Sequence, residues 1–278
     1  MLEDLQFASF SCFLTCTENL STDMSFKEIT QMKASDQVVD QLEKLILHGV
    51  LRAGEKLPAE RDLAAEMGVS RPVLRDALTA LQDKDLIEIR KGAGVFVADF
   101  LGAAFAPAMI DLFTSHEEAH ADFLAFRREI EGIAAERAAR FGLEGEHAHI
   151  QVIYEDMKAA HDAGDRAREI ALDVDFHMSV MEASQNVFML HMFRSMIEML
   201  RRGVFFNRSE MFNDSTTASE LMAQHERIVT AILKRDGQSA RSEMEAHLDY
   251  ISDTVRTVND QRRKEDILAM RKAHKARN

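Results

Sequence analysis

Apolar positions change their period along this chain, and the changes divide it. Val38, Val39, Leu42, Leu45 and Ile46 recur at helical intervals and stop at Gly49, which predicts a supporting helix. Leu63, Ala64 and Met67 mark a short helix over residues 59–67, ended by Gly68, where a left-handed conformation carries no Cβ penalty. Val69 is a candidate buried pivot. Leu74, Ala77, Leu78 and Leu81 then fall at i, i+3, i+4 and i+7, with Ser70 placed as N-cap and Pro72 in the first turn. From Leu86 to Arg90 apolar and charged residues alternate, Lys91-Gly92-Ala93-Gly94 supplies a turn, and residues 95–97 return. Two helices across a sharp turn, followed by a hairpin, predict a winged helix-turn-helix.

After Phe100 the period becomes helical throughout. Residues 122–141, 147–163, 167–184, 187–206, 219–235 and 239–258 read as successive helices, punctuated by Gly142, Gly164 and Gly237. A further helix is expected to enter this bundle near Ala104. The fold class is therefore mainly α: an N-terminal winged helix-turn-helix followed by an all-helical bundle. The expected boundaries are an extension over 1–32, read as disordered, a DNA-binding domain over 33–99, a helical domain over 100–260 and a basic, helical tail over 261–278.

Composition changes this picture in one respect. The net charge of −13 opposes nucleic acid, but residues 33–98 hold 10 Lys+Arg against 11 Asp+Glu, which leaves −12 for the remainder. DNA binding must then rest on a few placed cations and on two copies acting together. Arg71 and Arg75 are four apart on the outward face of the third helix, and a planar guanidinium fork suits guanine edges or phosphates. Lys91 stands at the tip of the hairpin, where a phosphate or the minor groove would meet it. Arg61 lies beside Glu60 and Asp62 and could pair with either.

At LPAERDLA, GVSRPVLRDAL and IEIRKGAGVFV the chain closely resembles the GntR family of bacterial repressors, over about 60 residues. The resemblance implies DNA contact by Arg61, Ser70, Arg71, Pro72, Val73 and Arg75, with Lys91 and Gly92 in the wing.

One constellation in the helical region carries chemistry. Asp173 and His177 are four apart and share a helix face. His225 and His247 each lie 11 residues from Asp236, which with Gly237 forms a tight hairpin. At ~1.5 Å per residue both stand ~16 Å from the turn, at one level. Three imidazoles and a carboxylate suit zinc, nickel or manganese. A helical histidine is otherwise usually structural or exposed, and His116, His120, His147, His149, His161 and His191 take that reading.

The same region is similar to the ligand-binding (FCD-like) domain of the fatty-acid-regulator branch of GntR repressors. FRREIEGIAAERAA matches its opening helix through Arg127 and Glu131, and DVDFHMSVMEASQN, HERIVTAIL and MEAHLDYI fill all four expected metal positions with Asp173, His177, His225 and His247. Members that bind fatty acids lack this full set. The segment DLFTSHEEAHADFLAFRREIEGIAAERAA and the basic C-terminus look most like the pyruvate dehydrogenase complex repressor subgroup, which implies pyruvate or lactate as effector. A 2-oxo or 2-hydroxy acid would chelate a divalent metal, zinc first among them. Arg127 is expected to clamp the other end of the acid, with a salt bridge to Glu131, Asp122 or Glu129 as its bland alternative. Arg201 and Arg202 are weaker candidates for that clamp.

These features predict a homodimeric, cytoplasmic transcription regulator that binds double-stranded operator DNA, a repressor by resemblance. Its mechanism would be a population shift: the acid acts through its differential affinity for two arrangements of the dimer. A metal sensor, or a purely structural metal, is the nearest rival. Three His and an Asp could also activate water, but no general base or nucleophile motif stands beside them, so no enzyme is expected. Cys12 and Cys16 read as an ordinary thiol pair in a loose tail. No apolar run has the length of a membrane span, and Glu3 and Asp4 stand where a signal peptide would be basic.

Overall fold

The structure, a computed structural model, describes residues 32–98, 116–201 and 215–277. The predicted helix near Ala104, Cys12 and Cys16, Arg202, and all but Met32 of the N-terminal extension lie outside the described residues. The elements are α1 (Ala34–Leu47), α2 (Glu60–Glu66), α3 (Arg71–Asp83), β1 (Ile87–Arg90), β2 (Gly94–Val97), α4 (Glu117–Phe141), α5 (Glu144–Asp162), α6 (Arg166–Ala183), α7 (Val187–Arg201), α8 (Ser215–Leu233) and α9 (Gly237–Arg277).

In the first region the periodicities find their partners. Val38, Val39, Leu42 and Ile46 of α1 pack on Leu74, Ala77, Leu78 and Leu81 of α3, together with Leu63 of α2 and Ile87, Val95 and Val97 of the wing. The turn between α2 and α3 has a specific closure. Val69 N donates to Ala64 O and Gly68 N to Ala65 O, which satisfies carbonyls that the helix end would otherwise orphan. Gly68 takes φ +65° to make that turn. Val69, expected to be a buried pivot, is half-buried against the core. Ser70 occupies the N-cap of α3, but its side chain makes no capping hydrogen bond.

The wing strands pair antiparallel, Ile87 with Val97 and Arg90 with Gly94. Gly94, expected in the turn, is the first residue of β2. A third segment runs beside them, with Leu57 N donating to Val95 O and Val97 N to Glu55 O.

The bundle is built on small residues at its centre. Ala134, Ala135, Ala138 and Ala139 of α4 are all fully buried, which lets neighbouring helices approach closely. Phe176 of α6, Ile228 and Ile232 of α8 and Met244 of α9 fill the space around them. The α8–α9 connection is the short hairpin that the sequence predicts. Asp236 caps α9 by accepting from Ser239 N at 3.0 Å and Ser239 Oγ at 2.7 Å. α9 does not stop at Val258: it runs unbroken through the basic segment to Arg277. Among the described residues no helix is long and apolar enough to cross a membrane.

A Cβ placed on Gly68 would meet nothing within 4 Å. Gly68→Ala should therefore cost only the left-handed conformation, about 1 kcal/mol, read as a lower urea midpoint with the fold retained. An unchanged midpoint would show that this turn does not need its positive φ.

Candidate metal centre and DNA-contact surface

Three helices deliver the four acid and imidazole groups to one point. Asp173 and His177 stand one turn apart on α6, His225 comes from α8 and His247 from α9. Their candidate ligand atoms all lie within 4.8 Å of one another, and all four residues are buried. His225 Nε2 is 3.2 Å and His177 Nε2 3.8 Å from Asp173 Oδ1. Bonds of ~2.0–2.2 Å to one ion would set ligand atoms roughly 3–4 Å apart, so the set needs only a small inward rotation.

The surroundings orient these rings. His247 Nδ1 donates to Gln224 Oε1 at 2.9 Å, and Gln224 is turned by its own bond from Nε2 to Glu220 Oε1 at 3.1 Å. That leaves His247 Nε2 as the lone-pair nitrogen, buried and without a hydrogen-bond partner. Burial, seconded by the neighbouring His225 and His177, holds the His247 imidazole well below its usual range, so it is neutral and competent to ligate. His177 Nδ1 lies 2.5 Å from Glu131 Oε2, while its Nε2 is likewise without a hydrogen-bond partner. Burial alone would raise the Glu131 carboxyl, yet the Arg127 guanidinium and His177 bring it down to about 2. An anionic Glu131 behind His177 is a carboxylate–histidine pair of the kind that supports a metal ligand. Buried imidazole nitrogens left unbonded are costly, and a bound divalent cation would remove that cost. The donor set therefore fits such an ion.

Arg127 sits at the edge of this arrangement, 2% exposed. Its Nε donates to Glu131 Oε1 at 2.6 Å, which is the expected salt bridge, but its Nη2 is buried with no hydrogen-bond partner. Both readings of this residue thus have a place. The side chains of Arg201 and Arg202 lie outside the described residues. Two other histidines are occupied elsewhere: His147 Nε2 meets Ala138 O at 2.8 Å, and His161 Nδ1 meets Glu169 at 2.7 Å. Glu131 was carried only by its match to a known helix, and Gln224 was not foreseen. Its spacing to His247 marks nothing until α8 and α9 are folded together.

On the DNA-binding side, Arg61, Ser70, Arg71, Pro72, Arg75, Lys91 and Gly92 are exposed and Val73 is half-buried. α2, α3 and the wing turn carry them all. Arg61 pairs with Asp62 at 3.0 Å, one of its two expected alternatives. The unforeseen residue is Glu60. It accepts from Arg75 Nε at 2.8 Å and lies 3.9 Å from Arg71 Nη2. Fifteen residues separate it from Arg75, so no local spacing announces the pair. In the wing, Arg90 is stacked 4.3 Å above the Phe96 ring and pairs with Glu88.

Comparison with known proteins identifies the two regions. The family described as bacterial regulatory proteins, gntR family, matches residues 34–97, and the FCD domain matches residues 122–250. A regulatory protein assigned to the L-lactate dehydrogenase operon of Escherichia coli K12 is 32% identical over 233 residues, 82% of this chain and 88% of that one. The Glc operon transcriptional activator of the same strain is 31% identical over 204 residues, covering 71% of this chain and 79% of its own length. Among solved structures, Streptococcus agalactiae GntR is 24% identical, with a TM-score of 0.47, over 79% of this chain and 99% of that one.

Purified protein should carry one tightly held divalent metal per chain by elemental analysis, and Asp173→Ala or His247→Ala should lose it. Gln224→Leu should keep the ion but weaken it about 10–100-fold in calorimetric titration, because the ring it orients is released. Equal affinity in Gln224→Leu would remove that residue from the site.

Proposed function

This chain belongs to the GntR family of bacterial regulatory proteins and is a DNA-binding transcription regulator of the FCD type, not an enzyme, and we propose that a small 2-hydroxy or 2-oxo acid held at a metal in its bundle sets its affinity for operator DNA. The observation that carries this reading is the pairing of a buried Asp/His₃ set with a buried arginine whose Nη2 is unused. Asp173, His177, His225 and His247 would hold the ion, which when bound supplies a Lewis-acidic centre able to take a carboxylate and an adjacent oxygen together. Arg127 Nη2 then offers a charged donor to the acid. Zinc suits the donor set, with nickel or manganese as alternatives. The name of the relative assigned to the L-lactate dehydrogenase operon favours L-lactate over pyruvate as the first acid to test.

Operator contact is assigned to Arg61, Ser70, Arg71, Pro72, Val73 and Arg75, with Lys91 and Gly92 on the wing. Two copies would present two α3 helices to half-sites about one turn of DNA apart. Phe126 and Ile133, seven residues apart on α4 and 46% and 37% exposed, offer a strip for that pairing. Glu60 has a role in discrimination. With Arg75 Nε held by Glu60, its two Nη groups would be left for a guanine edge, while the carboxylate would offset part of the positive charge that attracts any phosphate.

Fluorescence anisotropy on DNA from the protein's own promoter tests this reading. L-lactate should change affinity in the metal-loaded protein and fail to do so in His225→Ala or Arg127→Met. A change caused by zinc alone would make the protein a metal sensor. Arg71→Ala and Arg75→Ala should each cost about 1–3 kcal/mol of operator binding. Glu60→Gln should strengthen binding to scrambled DNA more than to operator and steepen the salt dependence. Equal strengthening of both would deny Glu60 any part in discrimination.

A further inference from the structure

α7 reaches from the bundle to the end of α1. His191 Nε2 lies 2.8 Å from Leu47 O, and Arg194 Nη1 donates to Gly49 O at 3.0 Å. Arg194 Nη2 donates to Glu182 Oε1 at 2.7 Å, and Arg52, just beyond α1, stands 3.9 Å from the same oxygen. His191 and Arg194 are three apart on one helix face; His191 meets the last carbonyl of α1, which has no partner within its own helix, and Arg194 meets the carbonyl of Gly49, two residues beyond it. A cation at that end of a helix is favourably placed.

Gly49 is shaped for this contact. A Cβ there would stand 2.0 Å from Arg194 Nη1, and its φ is +69°. A residue that only ended α1 would not need the first property.

The other side of the contact leads to the metal centre. Glu182 belongs to α6, the helix that carries Asp173 and His177, and lies five residues beyond His177. The end of α6 is tied to α4 through Arg137 Nε, which donates to Ser184 O at 2.9 Å. α4 in turn carries Arg127 and Glu131. Between α6 and α7 the packing is rich in methionine, with Met178, Met181, Met189 and Met196 around Phe193. Unbranched thioether side chains tolerate small shifts of one helix over another.

We propose that Glu182, His191 and Arg194, seated on Gly49, form a latch that transmits the state of the metal centre to the DNA-binding domain. The inference rests on the effector reading above. Occupancy of the site moves α6, Glu182 moves with it, and the grip of Arg194 on α1 changes. The acid then acts through its different affinity for latched and unlatched arrangements.

The test uses the full chain with Glu182→Gln, Arg194→Lys, Arg194→Ala and Gly49→Ala, each checked by thermal melting and by zinc content. Couplings of this kind amount to about 5–150-fold in affinity. In the wild type L-lactate should shift operator affinity by a factor in that range, and in Arg194→Ala and Gly49→Ala the factor should fall to within about twofold of unity, with zinc content unchanged. A preserved factor in both variants overturns the latch. If no acid acts on the wild type, the effector reading fails by itself, and zinc alone then judges the latch. Amide exchange across residues 47–52, slowed by zinc in the wild type, should be fast and indifferent to zinc in Arg194→Ala. A zinc response equal to that of the wild type would overturn it.

Discussion

Placing an aspartate and three imidazoles in the interior of an apolar bundle is costly, because none of them can reach water and their polar atoms must be satisfied locally. Much of the surrounding structure answers that demand. Gln224 takes the outward proton of His247, Glu131 backs His177, and Arg127 neutralises Glu131. Each is a charged or amide group that would be unfavourable at its depth if its neighbour were removed. The Nε2 atoms of His177 and His247 have no hydrogen-bond partner, and the four side chains converge from three helices that share no short sequence segment. The fold around them is therefore organised by the need to satisfy these polar groups as much as by the hydrophobic cluster of Phe176, Ile228 and Met244.

How far the sequence discloses this depends on whether a contact is local. The helix-turn-helix is legible because its signals lie within a few residues of one another: Leu74 to Leu81 at helical spacing, and a glycine at the one position that needs a positive φ. Asp173 with His177 is legible for the same reason, and His225 with His247 because a short hairpin brings residues equally distant from Asp236 to one level. The long-range partners are not. Glu60 meets Arg75 across 15 residues and Gln224 meets His247 across 23, and in both cases the tertiary fold alone creates the pair. His191 shows the same limit from the other side. As one more helical histidine it takes the bland reading, while its hydrogen bond joins residues 144 positions apart.

Charge gives a second constraint. An acidic chain that binds DNA cannot rely on a broad positive field, so each cation at the interface matters more and its direction matters most. Pairing Arg75 with Glu60 fits that situation. It lowers the sequence-independent attraction, which this protein has little of, and holds one guanidinium edge ready. On the proposed reading, a surface so built would exchange raw affinity for discrimination and would leave total affinity to depend on two copies binding together.

Control then follows from where rigidity and softness lie. A site with ligands on α6, α8 and α9 constrains the relative positions of those helices, and an acid that also engages α4 through Arg127 adds a fourth. Among the described residues α6 continues directly to Glu182, which meets the DNA-binding domain through Arg194. On its other flank α6 faces methionine-rich packing against α7, which can accommodate a shift that the alanine-lined centre of the bundle cannot. A stiff helix between a precise site and a soft boundary converts a small change at one end into a change of contact at the other. The acid needs no wire through the protein: it needs only to fit the ligands better in one position of α6 than in another.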